Sequence, residues 1–325
     1  MTELPNLGQR TLIMGVLNVT PDSFSDGGLH ATVDAAVDGG LRMIDDGADI
    51  LDIGGESTRP ATFHDNQPLD TAEEMARVIP VIQALRAKNP AIPISIDTYK
   101  ADVATAALDA GATIINDISG LTFDAVESGG NLHPSATVPF ASQRQLDTPL
   151  PRGTSELGEE PGVWVPMASL AVARACPVIL MHILGSPRDI PSKPQYVDVV
   201  QSIIEFFNRQ IDIARAAGID DANIILDPGI GFGKTAEHNL EILRRLPEIV
   251  RMGYPVLVGA SRKRFIGKVL GVDNPRDRVE GTAATVALSI AAGASIVRVH
   301  DVKEMARVAR MSDAVVRGWR EEECP

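Results

Sequence analysis

Short apolar runs rich in β-branched residues alternate along the chain with longer stretches in which apolar residues recur at helical spacing. In one such stretch Val78, Ile82 and Leu85 share a helix face, and the spacing of Thr71 and Glu74 predicts a capping box at its start. The predicted strands are 11–17, 49–53, 92–96, 112–115, 177–181, 223–227, 255–259 and 295–299. Strands that alternate with helices predict parallel βαβ units, and eight of them predict an α/β fold closed as a (β/α)8 TIM barrel.

Polar residues and glycines follow the end of each apolar run. They are Asn18, the GGESTRP stretch at 54–60, Asp97, Asn116 and Asp117, His182, Asp227, Ser261 to Lys263, and His300 with Asp301. The carboxyl ends of the strands of a parallel barrel open onto one face, where its active site lies. We therefore expect one functional site at this face.

Residues 125–164 interrupt the alternation, because they are rich in Gly, Pro, Ser and Thr and show little periodicity. Loops of this length are uncommon in a compact domain unless they are functional or disordered. The favoured prediction is a flexible surface insertion after strand 4. The alternative is a lid, because βα loops lie on the active face of a barrel. Either way, residues 1–325 are predicted to form a single domain.

Composition and charge narrow the functional classes. Hydrophobic residues make up 44% of the 325 residues and aromatic residues only 4%, which suits parallel strands covered by helices. A formal net charge of −13 argues against a nucleic-acid-binding surface. Two cysteines provide no disulfide framework, and neither an apolar signal core nor a membrane-spanning run is found. We expect a cytoplasmic protein with small-molecule partners and no membrane contact.

The stretch MGVLNVTPDSFSDGG at 14–28 places several oxygen-bearing side chains in one glycine-containing loop. Among them are Asn18, Asp22 and Asp26. Oxygen ligands this close together suit a hard cation such as Mg²⁺, which usually keeps water and phosphate oxygens as its other ligands. A polar turn closed by an Asx cap explains the same residues, and the stretch alone does not separate the two interpretations.

The stretch LDPGIGFGKT at 226–235 resembles a phosphate-binding loop only superficially. Pro228 stands where a Walker loop needs glycine. A G-x-G-x-x-A pattern from Gly231 to Ala236 fits better, but dinucleotide binding requires it in the first unit of an open sheet. What this stretch predicts is a backbone that a planar ligand approaches closely, with Asp227 at the strand tip.

Asp97, Asn116 and Asp227 have the chemistry to bind a guanidine-like edge of a heterocycle. A carboxylate accepts two parallel N–H bonds from such an edge, and an amide both donates and accepts. Helix capping is the alternative for Asp97, since a helix opens directly after it. The convergence of three strand ends favours the binding role.

Basic residues follow strands 7 and 8, where barrels frequently bind phosphate. They are Arg262, Lys263, Arg264, Arg298 and His300. His300 lies two residues after Arg298 and so shares its face of the strand. In an acidic chain this cluster is the expected place for a diphosphate. Lys234 is expected to serve only a helix start or the solvent.

Taken together and in this order, NVTPDSFSDGG, GGESTRP, DPGIGFGKT, SRKRFIG and RVHD resemble the motifs of the dihydropteroate synthases, which are pterin-binding enzymes. The resemblance extends from about Thr11 to Val316, apart from 125–164. It implies a transferase of folate biosynthesis. This enzyme class condenses a dihydropterin methyl diphosphate with 4-aminobenzoate to give dihydropteroate and diphosphate.

The resemblance also implies a role for individual residues. The pterin-binding residues are Asp97, Asn116, Met181, Asp227, Gly231, Phe232 and Lys263. The diphosphate-binding residues are Asn18, Arg298 and His300, with Asn18 as the Mg²⁺ ligand. The aminobenzoate-binding residues are Phe24, Thr58, Arg59, Pro60, Ser261 and Arg264. The catalytic residues are Asp26, Arg59 and Lys263. Many relatives have a serine at the position of Arg264, so Arg264 or a helix N-terminal amide takes the aminobenzoate carboxylate.

The nucleophile of this reaction is an aromatic amine that is unprotonated at neutral pH, so no strong general base is required. Leaving-group stabilisation and alignment of the amine are expected to supply the rate enhancement. The resemblance further implies a dissociative reaction, a homodimer and a sulfonamide target. Two alternatives are a corrinoid-dependent methyltransferase that binds methyltetrahydrofolate, and a catalytically silent pterin-binding protein.

Overall fold

A computed structural model describes residue 4 and residues 6–19, 28–56, 69–123, 165–185 and 194–319. The predicted insertion at 125–164 lies outside the described residues, so its role stays a prediction. Within the described residues, no helix has both the length and the apolar character needed to cross a membrane.

Eight parallel strands form one sheet in the order β6-β5-β4-β3-β2-β1-β8-β7. Their bounds are β1 Leu12–Asn18, β2 Ile50–Gly54, β3 Ile94–Asp97, β4 Ile114–Asp117, β5 Val178–Met181, β6 Ile224–Asp227, β7 Leu257–Val258 and β8 Ile296–Val299. A parallel bridge between Leu226 and Val256 joins the two edge strands, and Leu226 N donates to Pro255 O at 2.9 Å. The sheet therefore closes on itself, and the predicted TIM barrel is confirmed.

Helices in the described ranges surround the strands. They are α1 Gly28–Asp45, α2 Thr71–Lys88, α3 Ala101–Ala110, α4 Pro166–Arg174, α5 Val199–Ala217, α6 Ala236–Arg244, α7 Leu246–Val250, α8 Arg264–Leu270, α9 Val279–Ala291 and α10 Val302–Arg317. Val78, Ile82 and Leu85 of α2 are fully buried against the barrel, as their spacing predicts.

The start of α2 differs from the predicted capping box. Asp70 is the N-cap, and its side chain accepts from Ala72 N at 3.1 Å. Glu74 is instead buried and binds Lys100 Nζ at 2.6 Å. The capping-box prediction was wrong because an acidic residue one position earlier caps the helix, which releases Glu74 for an ion pair.

The strands carry two different layers of side chains inside the barrel. The lower layer is an apolar cluster separate from the core beneath the helices, and its strand members are Leu12, Met14, Ile50, Ile114, Ile179, Ile225, Leu257 and Ile296. Because side chains alternate along a strand, the residue two positions further on points the same way. Four of those residues are Asp52, Asn116, Asp227 and Arg298, so the upper layer of the interior is polar.

Candidate active site

The centre of the upper layer is an ion-pair network around Arg298. Arg298 Nε donates to Asp52 Oδ2 at 2.6 Å, and Arg298 Nη2 donates to Asp97 Oδ2 at 2.6 Å. The Asp52 side chain is fully buried, and the Asp97 side chain is 10% exposed. One arginine of β8 thus neutralises acids from β2 and β3 at the mouth of the barrel.

The Asp97 carboxylate can accept more hydrogen bonds than the described residues donate to it. Its Oδ1 atom is buried and has no hydrogen-bond partner within the part of the chain that the structure describes. Burial raises the pKa of Asp97 to about 7 against the opposing charge of Arg298, and the neighbouring carboxylate of Asp52 adds to the rise. A buried acceptor without a partner costs about 1–3 kcal/mol, which a ligand N–H would recover.

Asn116 lies beside this network on β4. Its Nδ2 donates to both carboxylate oxygens of Asp52, at 3.3 and 3.2 Å, which fixes the orientation of the amide. One N–H of Nδ2 faces Asp52, so the second N–H and the Oδ1 atom are the groups that the amide has for a ligand.

Asp227 and Lys263 form the other side of the mouth. Asp227 Oδ1 accepts from Gly229 N at 2.8 Å, and burial raises the pKa of Asp227 while Lys263 opposes the rise. Burial lowers the pKa of Lys263 to about 8. The ammonium of Lys263 lies 4.7 Å from the ring centroid of Phe232 and donates to Ile230 O. A carboxylate, an ammonium and an aromatic face therefore converge on one volume.

The 229–233 loop is built around the buried side chain of Lys234. Lys234 Nζ lies 2.9 Å from His182 Nδ1 and donates to the carbonyl oxygens of His182, Gly229 and Phe232 at 3.2, 3.0 and 2.9 Å. Gly229 has φ +65°, and a Cβ there would lie 1.9 Å from His182 O. The expectation that Lys234 serves only a helix start or the solvent was wrong, because it cross-links this loop to the end of β5.

The basic residues after β7 and β8 do not act as one cluster. Arg262 makes a bidentate ion pair with Asp301, its Nε lying 2.9 Å from Asp301 Oδ2. His300 N donates to Ser261 Oγ at 3.1 Å, and His300 Nδ1 lies 3.0 Å from the same hydroxyl. The Ser261 hydroxyl therefore fixes the orientation of the His300 ring. Arg264 is exposed at the start of α8.

A charged cluster beside the connection between β2 and α2 was not predicted. Lys100 Nζ donates to Glu56 Oε2 at 3.1 Å, to Glu74 Oε2 at 2.6 Å and to Leu69 O at 2.7 Å. Arg77 Nη1 donates to Gly55 O at 2.9 Å. These contacts hold the residues on both sides of 57–68.

The structure brings together most of the predicted site residues that it describes. Those near one another at the mouth are Asp97, Asn116, Met181, Asp227, Gly231, Phe232, Lys263, Arg298, Ser261 and His300. Phe24, Asp26, Thr58, Arg59 and Pro60 lie outside the described residues, so their roles stay predictions. Asn18 is half-buried at the end of β1, next to Gly54 of β2. In the described ranges, no group of three or more His, Cys, Asp or Glu side chains is placed to hold a metal ion.

Sequence reasoning missed Asp52 and misjudged Lys234. The signal for Asp52 was present, because an acidic residue inside an otherwise apolar strand, two positions after Ile50, must point into the barrel. An acidic residue buried there needs a partner. The signal for Lys234 was absent, since its partners are backbone carbonyl oxygens that no sequence pattern reports.

The fold and the mouth together define a barrel enzyme that binds a nitrogen-rich heterocycle. The family model described as "Pterin binding enzyme" matches residues 14–131 and 164–300, and the chain belongs to this family. Within it, the chain catalyses the reaction of the dihydropteroate synthases, the condensation of a dihydropterin methyl diphosphate with 4-aminobenzoate.

Named relatives support this assignment over nearly the whole chain. The dihydropteroate synthase of Synechocystis sp. is 44% identical over 313 residues, which cover 96% of this chain and 92% of the relative. The crystal structure of the Clostridium difficile enzyme in the presence of pteroic acid has a TM-score of 0.76 at 43% identity, covering 96% of this chain and 99% of that one. The Yersinia pestis enzyme in a sulfonamide drug complex has a TM-score of 0.74 at 37% identity, covering 94% of each chain. These relatives favour neither the corrinoid methyltransferase nor the silent binding protein.

Proposed function

We propose that the upper layer of the barrel divides the dihydropterin diphosphate between two subsites. Asp97, Asn116 and Asp227 bind the polar edge of the pterin, with Met181, Gly231, Phe232 and Lys263 around its faces. Arg298, His300 and Asn18 bind the diphosphate. The observation that carries the proposal is the buried, unpartnered Oδ1 of Asp97, because its acceptor capacity matches an N–H on the heterocycle.

The chemistry that these residues supply is charge stabilisation and alignment. The C–O bond breaks first and the diphosphate leaves with the bonding electron pair. The amine of 4-aminobenzoate then attacks the methylene carbon, forms the new C–N bond and loses a proton. Arg298 and a ring N–H of His300 stabilise the negative charge that develops on the leaving diphosphate. Lys263 and the Phe232 ring hold the pterin in place, so the methylene carbon faces the incoming amine.

Asn18 fits the role of a magnesium ligand. Mg²⁺ uses few protein ligands where water and substrate phosphate oxygens complete its shell, and an amide oxygen at the end of β1 is one hard ligand of this kind. When bound, the ion neutralises charge on the diphosphate.

The aminobenzoate subsite is proposed from the resemblance. It comprises Phe24, Thr58, Arg59, Pro60, Ser261 and Arg264, with Asp26 and Arg59 as catalytic residues beside Lys263. The exposed start of α8 at Arg264 supports a contact with a carboxylate there, through the side chain or the backbone amides. Sulfonamides are proposed to compete for this subsite, as the drug complex of the Yersinia pestis enzyme suggests.

A homodimer is also proposed. Its support is an exposed set of large apolar side chains on and after the neighbouring helices α9 and α10, namely Leu288, Met311, Val315 and Trp319, which are 61–73% exposed. The predicted compartment is still the cytoplasm. The cysteine content is the basis of this prediction, and the buried free thiol of Cys176 agrees with it. Light scattering would test the dimer, which is expected at twice the chain mass of 34.6 kDa.

The magnesium proposal is tested by titrating the metal into the metal-free enzyme during turnover. We expect the Asn18→Ala variant to need at least roughly tenfold more Mg²⁺ for half-maximal rate, since it loses one hard ligand. Direct calorimetric titration of Mg²⁺ with inorganic diphosphate gives a readout independent of turnover. An unchanged magnesium requirement in both measurements would contradict the role of Asn18.

A further inference from the structure

Asp52 is a fully buried carboxylate that none of the subsites above uses. It accepts from Arg298 Nε at 2.6 Å and from Asn116 Nδ2 at 3.3 and 3.2 Å. A buried carboxylate is tolerated only when it is paired and hydrogen-bonded, and here the partners are two side chains from the proposed subsites.

The position of Asp52 in the sheet explains why it reaches both partners. Strand β2 pairs with β1 and β3, whereas Asn116 and Arg298 belong to β4 and β8. Its carboxylate therefore reaches past one intervening strand on each side, past β3 to Asn116 and past β1 to Arg298. Among the described strands, β4 and β8 are not paired with each other, and the Asp52 carboxylate bridges the side chains of Asn116 and Arg298.

We propose that Asp52 is a positioning residue that holds the Asn116 amide and the Arg298 guanidinium at the same time. It thereby couples the geometry of the pterin subsite to that of the diphosphate subsite. This inference rests on the proposed function, in which Asn116 contacts the pterin and Arg298 contacts the diphosphate.

The chemistry of a carboxylate is required at this position. A carboxylate offers two acceptor oxygens to the two donors, whereas an asparagine offers one oxygen and one N–H₂ group. In Asp52→Asn the new N–H₂ either faces Asn116 Nδ2 or forces the Asn116 amide to flip, and Arg298 loses one of its two anionic partners. The substitution keeps the size of the side chain and changes only its charge and hydrogen bonding.

The test compares Asp52→Asn with Asp49→Asn, the same substitution at the residue that directly precedes β2. Asp49 also binds an arginine, with Arg10 Nη1 at 2.8 Å, but it lies outside the mouth. Two dissociation constants are measured by calorimetry, one for a hydroxymethyl-dihydropterin that lacks phosphate and one for inorganic diphosphate with Mg²⁺. The KM for 4-aminobenzoate is measured alongside.

For Asp52→Asn we expect both dissociation constants to rise about tenfold, as for the loss of a hydrogen bond to a charged group. Asp49→Asn is expected to change neither, and the KM for 4-aminobenzoate is expected to stay within about twofold of wild type in both. Unchanged dissociation constants in a folded Asp52→Asn variant would overturn the inference, and so would weakening of only one ligand.

Two reference variants separate this inference from the proposed function. Asn116→Ala is expected to weaken the pterin more than the diphosphate. Arg298→Met is expected to weaken the diphosphate more than the pterin, which it also affects because Arg298 pairs with Asp97. If either fails to do so, the subsite assignment is wrong. If both behave as expected and Asp52→Asn does not, only the role of Asp52 is wrong.

A measurement on the unmodified protein covers the case in which Asp52→Asn does not fold. The Nε–H resonance of Arg298, assigned by its loss in Arg298→Lys, is expected to exchange with water much more slowly than that of the exposed Arg244. Exchange as fast as that of Arg244 would show that Asp52 does not hold the guanidinium.

Discussion

Asp49 directly precedes β2 and Asp52 lies in the middle of it, and both bind an arginine, yet their surroundings differ. Asp49 is 20% exposed at the amino end and accepts from Arg10 and from Ile13 N at 2.8 Å. Asp52 is fully buried in the upper layer of the interior and binds Arg298, whose other partner is Asp97. At the lower end, the Asp49 carboxylate accepts a hydrogen bond from the protein's own backbone. At the upper end the acids are held by side chains and keep acceptor capacity for a ligand.

The same contrast extends to the whole interior. The lower layer consists of apolar side chains that pack against one another and contribute stability through burial. The upper layer consists of ionisable groups whose burial costs free energy, as the raised pKa values of Asp97 and Asp227 indicate. The barrel thus stabilises itself with one layer and carries the proposed substrate-binding residues in the other.

The largest expected effect comes from the arginine of the upper layer. Arg298→Met should lower kcat/KM roughly a hundred- to a thousand-fold, because a preorganised donor to the leaving group is lost. Arg10→Met removes the matching arginine at the lower end and should leave kcat/KM unchanged. Steady-state kinetics of the two variants measure the difference, and equal effects would remove the distinction between the two layers.

A smaller effect is expected for the buried lysine beneath the 229–233 loop. Lys234→Met leaves three carbonyl oxygens and a histidine nitrogen without a donor, which should lower the free energy of unfolding by about 3 kcal/mol. It should also raise the KM for the pterin substrate, since Gly231 and Phe232 belong to this loop. Lys268→Met, which removes an exposed pair with Glu237, should cost less than about 1 kcal/mol in urea unfolding. Equal losses in the two variants would contradict the cross-link.

The smallest effect is a pH dependence of stability. The pKa of Asp97 is raised from 3.8 to about 7 in the folded chain, so the native state binds the proton more tightly than the unfolded state. This contribution is fully present below about pH 4 and is lost as the pH rises through about 7. The melting temperature of Asp97→Asn, relative to wild type, should therefore rise by a few degrees from pH 5 to pH 8. A constant difference across that range would mean that burial does not raise this pKa.

The fold was predictable because each strand is an apolar run and each run ends in polar residues, so spacing alone located the mouth at Asp97, Asn116 and Asp227. The contacts that each charged side chain makes were harder to predict from the sequence. No sequence pattern reports that Arg298 binds Asp52 and Asp97 or that Arg262 binds Asp301, since these contacts join residues far apart in the chain. The contacts of Lys234 leave no pattern because its acceptors are backbone carbonyl oxygens. The Asp70 cap was missed for a local reason, because two capping residues are adjacent and only geometry selects one.

The most direct test of the division between the two layers is the affinity for the dihydropterin methyl diphosphate itself. Calorimetric titration without 4-aminobenzoate would compare wild type with Asp227→Asn, whose carboxylate lies in the upper layer. We predict that the variant binds at least about tenfold more weakly, because one amide oxygen replaces two carboxylate oxygens opposite the pterin edge. An affinity within about twofold of wild type would contradict the account of the upper layer as the substrate site.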